Sequence, residues 1–436
     1  MSTLWILLGL FAVLLAFGTP IGAALSLASA FIFIFIDGRP LIILPQKFFN
    51  ATDSFSFLAV PFFMLAGAFM SDGGVTKRIV DFSMCLVGFL AGGLALVVAM
   101  AGMFFAALSG SSAATTAAIG ASMINEMEER GYPRDFAAAV VAAGGTVGIV
   151  IPPSITMVVY GSIANVGIAD LFMAGFAPGI CMGVAMMVLS WVFAKIYGYG
   201  SAESFSLIRA AKMFLSCLPA LLMPVIILGG IYAGFFTPTE AAAVAALYGA
   251  FVGFFIYGEL KLSDLPKTLY TAAVGTTMIM FVVGGAAVLG HILTNARIPH
   301  QLGEAFTQLT DSPVIFLMLL NVMLLFVGTL VNASAAVVIL TPILLPVAVN
   351  LGIDPLFFGV LMVVNLAIGC ITPPVGLDLF VVSSIAGVSI GRVTQKVLPY
   401  IGVLVAVLLL VTYVPKIITF MPEGMGYVVK GAYHGG

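Results

Sequence analysis

The sequence predicts an all-α polytopic membrane protein built from two inverted-topology repeats, and its composition is the first reason. Of its 436 residues, 62% are hydrophobic and only 8% are charged, against about 25% charged residues in a soluble domain. A hydrocarbon core of about 30 Å needs roughly 20 apolar residues per helix, and runs of this kind occupy most of the chain. They leave no room for a soluble domain, and no basic cluster suggests a nucleic-acid partner.

The second reason is a pair of interruptions in these apolar runs. A stretch of glycine and hydroxyl residues at 109–116 is followed by a double proline within 151–154, and the same device returns at 332–336 and 371–376. Glycine and proline deprive backbone groups of their helical partners, and lipid cannot replace those partners. Interrupted backbone of this kind is tolerated where it lines a cavity or binds an ion, so we expect both interruptions to be functional.

The third reason is the constant spacing between the two halves of the chain. The tripeptide Ser-Ala-Ala recurs after 222 residues and the double proline after 221, and the offset of every matched motif stays within four residues. Such regularity predicts a two-fold repeat. We place the first repeat at 1–200 and the second at 215–420, joined by a cytoplasmic linker at 201–214 and followed by a tail at 421–436.

Both repeats have the same predicted order of elements. Two membrane segments and a third span are followed by a helical hairpin, a helix broken at its middle and one last span. If the hairpins are re-entrant, each repeat crosses the membrane five times, so the second is inserted upside down. The predicted segments are 4–18, 20–36, 50–71, 86–129, 136–163 and 170–197 in the first repeat, and 214–235, 238–258, 268–296, 314–350, 355–388 and 395–420 in the second.

The distribution of basic residues supports the inversion. With a periplasmic N-terminus, eleven of the sixteen lysines and arginines fall on the cytoplasmic side, as the positive-inside rule requires. The count is the same if either hairpin is an ordinary pair of spans, because two crossings also return the chain to its starting side. Charge therefore favours inversion without deciding whether the hairpins are re-entrant.

Two hairpin tips and two broken helices from inverted repeats are expected to meet near the middle of the bilayer, where secondary transporters bind substrate and coupling ions. Helix N-termini offer N–H groups to a carboxylate, and unwound segments offer carbonyl oxygens to a hard cation such as Na⁺. The alternative is that the small residues only allow close helix packing, which does not explain a double proline repeated in register. The candidate Na⁺ ligands are Ser109, Ser111 and Ser112 with backbone at Gly144, Gly145, Val150 and Pro152, and Asn332, Ser334 and Thr372 with backbone at Gly369 and Pro374.

Two acidic residues in apolar runs have different interpretations. Glu240 completes a capping box with Thr237, which accounts for it without a role in transport. Asp378 follows the second double proline, and an ionisable group inside a membrane segment is a functional candidate. The sequence leaves open whether Asp378 belongs to the site or only begins a helix.

An enzyme is the competing class of function. Intramembrane proteases need a Ser–His pair, an Asp pair or a zinc motif such as His-Glu-x-x-His, and the sequence contains none of these arrangements. The phosphate-binding loop of a nucleotide-driven pump is also missing from it. The sequence therefore favours a transporter, with no catalytic residues, over an enzyme.

Several motifs resemble the large membrane subunit of tripartite ATP-independent periplasmic (TRAP) transporters. They lie at 60–67, 109–115, 148–154, 236–242 and 369–376, and the resemblance runs from about residue 4 to 420. It implies a bacterial inner-membrane permease that works with a small four-helix membrane subunit and a periplasmic substrate-binding protein. It also implies Na⁺-coupled import of a small organic acid, such as a carboxylate or sialic acid, by an elevator mechanism.

On this resemblance the hairpin tips and double-proline loops bind substrate as well as Na⁺. The substrate candidates are Ser111, Ser154, Thr156, Asn332 and Asp378. A stand-alone Na⁺-coupled symporter of divalent anions or citrate, which needs no binding protein, is the alternative transport function.

Overall fold

The computed structural model describes residues 2–38, 40–200, 205–296, 301 and 312–431, and these residues form helices joined by turns and loops, with no strand among them. The predicted linker lies partly outside the described residues, since 201–204 are not among them, and so do 432–436 of the tail. In the first repeat the helices are α1 Ser2–Ala16, α2 Ile21–Ile32, α3 Ile43–Thr52, α4 Ala59–Asp72, α5 Val75–Val87, α6 Gly93–Ser109, α7 Ser112–Glu129, α8 Arg134–Gly145, α9 Ile155–Ala164 and α10 Ile168–Tyr197. In the second they are α11 Leu207–Tyr232, α12 Pro238–Phe251, α13 Leu265–Asn295, α14 Pro313–Leu330, α15 Ala333–Asn350, α16 Pro355–Gly369, α17 Leu377–Ala386, α18 Ile390–Tyr413 and α19 Lys416–Gly424.

The predicted fold class is confirmed. Eight helical segments among the described residues are long and apolar enough to cross a membrane. Each repeat contains a hairpin, α6–α7 or α14–α15, with a turn of only two residues at its tip. Each also contains a helix broken at its double proline, α8–α9 or α16–α17.

Two element boundaries differ from the sequence prediction. The first hairpin begins at Gly93 rather than at residue 86, because α5 is a separate helix and Gly92 turns the chain with a left-handed φ of 75°. The span predicted at 50–71 contains the end of α3, a 3₁₀ turn at Phe55–Leu58 and α4. Its counterpart α13 is continuous over 31 residues, so the repeats differ in this element.

The capping box predicted at the start of α12 is confirmed. The Thr237 hydroxyl accepts a hydrogen bond from the Glu240 amide at 3.3 Å, and the Glu240 carboxylate accepts one from the Thr237 amide at 2.8 Å. Pro238 occupies the first helical position, where its missing N–H costs no hydrogen bond. The structure thus explains this acidic residue as part of a helix start.

The two repeats pack reciprocally. Helix α7 of the first hairpin lies against α17 of the second broken helix, and α15 of the second hairpin lies against α9 of the first. Reciprocal contacts are what a two-fold relation between two units produces. They bring both hairpin tips and both helix breaks into one region.

The helices fall into two groups by their packing. Helices α1–α5 and α11–α13 form a group that we call the frame, in which α13 packs on α2, α3 and α4, and α12 packs on α4 and α11. The remaining helices, α6–α10 and α14–α19, form the hairpin group. The two groups meet where α5 packs on α6 and α7, where α4 contacts α6 and α9, where α13 contacts α15, and where α11 contacts α6 and α10.

The chain after α19 folds back onto the hairpin group. Asp354, which is 1% exposed, caps α16 by accepting hydrogen bonds from the amides of Leu356 and Phe357. Its carboxylate also accepts from the Tyr427 hydroxyl at 3.1 Å and the Lys430 amide at 2.7 Å. The tail is therefore tied to the connection between the second hairpin and the second broken helix.

Candidate functional site

The first hairpin tip is a compact network of hydroxyl and carbonyl oxygens. The Ser109 hydroxyl lies 2.8 Å from that of Thr115, and the Thr115 hydroxyl donates to the Ser111 carbonyl at 2.8 Å. Gly110 turns the chain with a left-handed φ of 61°, and Ser111 then caps α7 by accepting from the Ala114 amide. The tip therefore gathers oxygen atoms, the ligands that a hard cation prefers.

Two glycines, Gly145 and Gly148, allow the backbone of the first broken helix to lie close to this network. A Cβ atom on Gly145 would lie 1.8 Å from the Thr116 hydroxyl oxygen, and one on Gly148 would lie 2.6 Å from both the Ser111 carbonyl oxygen and the Thr115 hydroxyl. The Thr116 hydroxyl is buried without a hydrogen-bond partner among the described residues. An unpaired buried hydroxyl costs free energy unless a ligand satisfies it, so this arrangement suits a bound cation.

The second hairpin tip is joined directly to the first repeat. The side-chain oxygen of Asn332 accepts from the Ser334 amide at 2.9 Å, and the Ser334 hydroxyl lies 3.1 Å from that of Thr156 at the start of α9. The structure therefore brings together three of the predicted residues from two repeats.

Each tip is also fastened to the double-proline loop of its own repeat. The Ile155 amide donates to the Gly110 carbonyl at 3.3 Å, and the Gly376 amide donates to the Thr329 carbonyl at 2.9 Å. The loops nevertheless differ in burial, since 151–154 is buried whereas Pro374 is exposed. The two halves of the site are therefore similar in backbone contacts and unequal in accessibility.

A cavity of about 560 Å³ lies between the two tips and the frame. On the side of the hairpin group its polar lining consists of Ser111, Ser112, Thr156, Asn332 and Ser334. On the side of the frame it is lined by the start of α2, Met64 of α4 and part of α13. The α13 residues are Gly275, Thr277, Met278, Ile279, Phe281 and Val282. The volume is within the range of about 300–1,000 Å³ that is usual for small-molecule sites.

Four helices begin at this cavity. The first residues of α2, α7, α9 and α15 are Ile21, Ser112, Ile155 and Ala333, and all four line it. A helix N-terminus presents free N–H groups and the positive end of the helix dipole. None of the residues that line the cavity is charged. The helix dipoles, the N–H groups that the caps leave free and the side-chain hydroxyls of the lining therefore favour an anion there without a basic side chain.

Asp378 lies behind the tips rather than in the cavity lining. It is in the first turn of α17 and is fully buried. The Ser112 hydroxyl approaches its carboxyl group, yet neither carboxylate oxygen has a hydrogen-bond partner of standard geometry among the described residues. The structure thus places Asp378 beside the site, with the Ser112 hydroxyl near its carboxyl group and no hydrogen bond of standard geometry from a described residue to either carboxylate oxygen.

Other predicted site residues have their polar groups engaged elsewhere. The Ser154 hydroxyl donates to the Ile149 carbonyl at 2.6 Å and caps α9, and it does not line the cavity. The Thr372 hydroxyl donates to the Ile368 carbonyl at 2.8 Å. Gly369 is in close backbone contact with Gly328. Gly144 is buried near the end of α8, Val150 and Pro152 are buried in the break that follows, and none of the three lines the cavity.

Sequence reasoning missed two sets of site residues. Thr115 and Thr116 stand in the same polar stretch as the tip serines, and their hydroxyls one turn into α7 are the signal that could have found them. The frame residues of α2, α4 and α13 are apolar or small, and no local pattern distinguishes them from packing residues. They join the site only because the tertiary fold places them opposite the tips.

Comparison with known proteins gives the family. The family model described as "Tripartite ATP-independent periplasmic transporter, DctM component" matches residues 8–417. The chain belongs to this family. The C4-dicarboxylate TRAP transporter large permease protein DctM of Pseudomonas aeruginosa is 43% identical over 403 residues, covering 92% of this chain and 94% of that protein. The sialic acid TRAP transporter large permease protein SiaM of Vibrio cholerae is 38% identical over 410 residues, covering 94% and 96%.

A solved structure supports the fold of this TRAP large permease. The YdaH transporter of Alcanivorax borkumensis aligns with a TM-score of 0.62 over 89% of this chain and 88% of that one, at 16% identity. TRAP large permeases work with a small membrane subunit and a periplasmic binding protein, and they are not enzymes. This chain is accordingly a multi-span permease subunit of the bacterial inner membrane.

Proposed function

We propose that this TRAP permease imports a small organic acid together with Na⁺, and that the acid group binds in the cavity between the hairpin tips. The observation that carries the proposal is the meeting of four helix N-termini at an uncharged cavity. Such an arrangement favours an anion. The two relatives named above are permeases of C4-dicarboxylate and sialic acid transporters, and we expect the substrate of this chain to be an organic acid of similar size.

The oxygen network of the first tip supports Na⁺ as the coupling ion. Carbonyl and hydroxyl oxygens of Ser111 and Thr115 converge there, and the unpaired Thr116 hydroxyl adds another. At the second tip the Asn332 and Ser334 side chains offer further oxygen atoms beside the cavity. A cation bound at either tip would also attract the acid group of the substrate, so binding of the two would be cooperative.

The position of the cavity between two helix groups supports an elevator mechanism. Its serine, asparagine and Thr156 side chains belong to the hairpin group, and its frame side is apolar apart from Thr277. Movement of the hairpin group along the frame would carry the polar side away from Met64 and α13. The substrate would then be exposed on one side of the membrane at a time.

Uptake by reconstituted components tests the proposal. We expect proteoliposomes that hold this chain and its small membrane subunit to accumulate a radiolabelled organic acid when the cognate binding protein and an inward Na⁺ gradient are both supplied. Replacing Na⁺ by choline should abolish accumulation, and Ser111→Ala should raise the Na⁺ concentration required. Uptake by this chain alone would instead favour the stand-alone symporter, and uptake independent of Na⁺ would contradict the coupling.

A further inference from the structure

Asp378 differs from the other buried acidic residues in the described part of the chain. Three aspartates there are buried, Asp135, Asp354 and Asp378. Asp135 pairs with Arg392 at 3.2 Å and accepts from the Phe136 amide, and Asp354 accepts from three amides and a tyrosine hydroxyl. Asp378 is 0% exposed and neither of its carboxylate oxygens has such a partner.

The backbone around Asp378 does not supply the missing donors. The Asp378 amide donates to the Cys370 carbonyl, and the amides of Leu379 and Phe380 donate to the Gly376 carbonyl. These three N–H groups are therefore used by carbonyl oxygens. The carboxylate gains no hydrogen bond from them, unlike the carboxylate of an ordinary helix cap.

No basic residue of the helices that pack on α17 reaches the carboxylate. These helices are α7, α8 and α18. Arg134 at the start of α8 bonds the Ala386 carbonyl at the far end of α17, about 12 Å along the helix axis from Asp378. Arg392 pairs with Asp135, and Lys396 is exposed. A buried carboxylate without donors or a counter-charge is costly, and the cost is removed either by protonation of the carboxyl group or by a bound cation.

We propose that Asp378 and the Ser112 hydroxyl form a cation site behind the hairpin tips, separate from the oxygen network of the first tip. Ser112 lines the cavity and also approaches the Asp378 carboxyl group, so it connects the two regions. The site offers two carboxylate oxygens and one hydroxyl oxygen, which suits Na⁺. This inference rests on the proposed function for the identity of the ion, and a protonated Asp378 without a bound cation is the alternative that the experiment below separates from it.

Occupation of this site would strengthen substrate binding. Ser112 is the first residue of α7, one of the helices that begin at the cavity. With the cation absent, an ionised Asp378 would place a negative charge near Ser112, which lines the cavity where the acid group binds. With the cation present, that repulsion is cancelled and Ser112 is fixed in position.

Direct measurement of ²²Na⁺ binding tests the proposal without transport. The purified permease with its small subunit would be titrated with ²²Na⁺ in detergent at constant ionic strength. We expect Asp378→Asn to bind one Na⁺ fewer per chain, or to bind it at least about a hundredfold more weakly, as expected for loss of one member of a buried charge pair. Asp53→Asn removes an exposed carboxylate and should leave both stoichiometry and affinity unchanged.

The outcomes separate this proposal from the function on which it rests. Wild-type stoichiometry and affinity in Asp378→Asn would overturn the Asp378 site and leave Na⁺ coupling at the tips intact. Failure of the wild-type protein to bind Na⁺ would overturn both. If Asp378→Asn does not give a monodisperse protein, Ser112→Ala decides, because loss of its hydroxyl should weaken the same binding event. Unchanged Na⁺ binding in Ser112→Ala would then reject the site.

Discussion

At the scale of single residues, Thr116 offers the sharpest test of the first tip. Its hydroxyl is fully buried and unpaired among the described residues, within reach of the backbone at Gly145. Thr116→Val keeps the shape of the side chain and removes only that oxygen. If the oxygen binds Na⁺, the concentration for half-maximal Na⁺-dependent uptake should rise about tenfold, equivalent to about 1.4 kcal/mol.

The thermal stability of Thr116→Val shows whether weaker Na⁺ dependence comes from the loss of an ion ligand or from a packing defect. Replacing an unsatisfied hydroxyl by a methyl group should leave the melting temperature without Na⁺ unchanged or slightly higher. Ser122→Ala is the matched control, because Ser122 is an exposed hydroxyl residue on the same helix. Normal Na⁺ dependence in Thr116→Val would show that its hydroxyl does not bind the ion.

At the scale of helices, the contact between α4 and α6 tests whether the frame and the hairpin group move against each other. A Cβ atom on Gly67 would lie 3.4 Å from Ser109 Cα and 3.6 Å from the Leu108 carbonyl oxygen. Cysteines at 67 and 108, in a background without the four native cysteines, are therefore close enough for a short bifunctional thiol reagent. We expect cross-linking of this pair to stop uptake, and reversal of the cross-link to restore it.

A second cysteine pair within the frame is the control for this experiment. A Cβ atom on Gly249 of α12 would lie 3.5 Å from Phe69 Cβ of α4, which is within the range for a disulfide. Bridging these two positions joins helices that stay together in an elevator, so uptake should continue. Continued uptake with the 67–108 pair bridged would mean that the two groups do not slide at this contact.

At the scale of the whole molecule, the repeated breaks were predictable because glycine and proline act locally. Gly110 takes a left-handed conformation, and a double proline cannot continue a helix. Both effects depend on the residues themselves and not on the surrounding fold. The order of elements and the oxygen atoms at the tips follow from these residues.

The frame side of the cavity could not be predicted from the sequence. Met64 and Phe281 look like ordinary apolar residues until α4 and α13 are placed opposite the tips. Nor does the sequence reveal that the Asp378 carboxylate lacks a hydrogen-bond partner among the described residues, because that depends on which groups the neighbouring residues bind in the folded protein.

The sidedness of the two repeats in the membrane is the remaining prediction for the whole molecule. Glu129 and Asn350 are exposed residues at the bases of the first and second hairpins, separated by nearly the repeat offset. In an inverted arrangement these bases lie on opposite sides, with the first in the cytoplasm as the positive-inside rule favours. A single cysteine at 350 should therefore react with a membrane-impermeant maleimide in intact cells, whereas one at 129 should react only after the inner membrane is opened. Labelling of both positions from the same side would refute the inversion, because parallel repeats would place the two bases together.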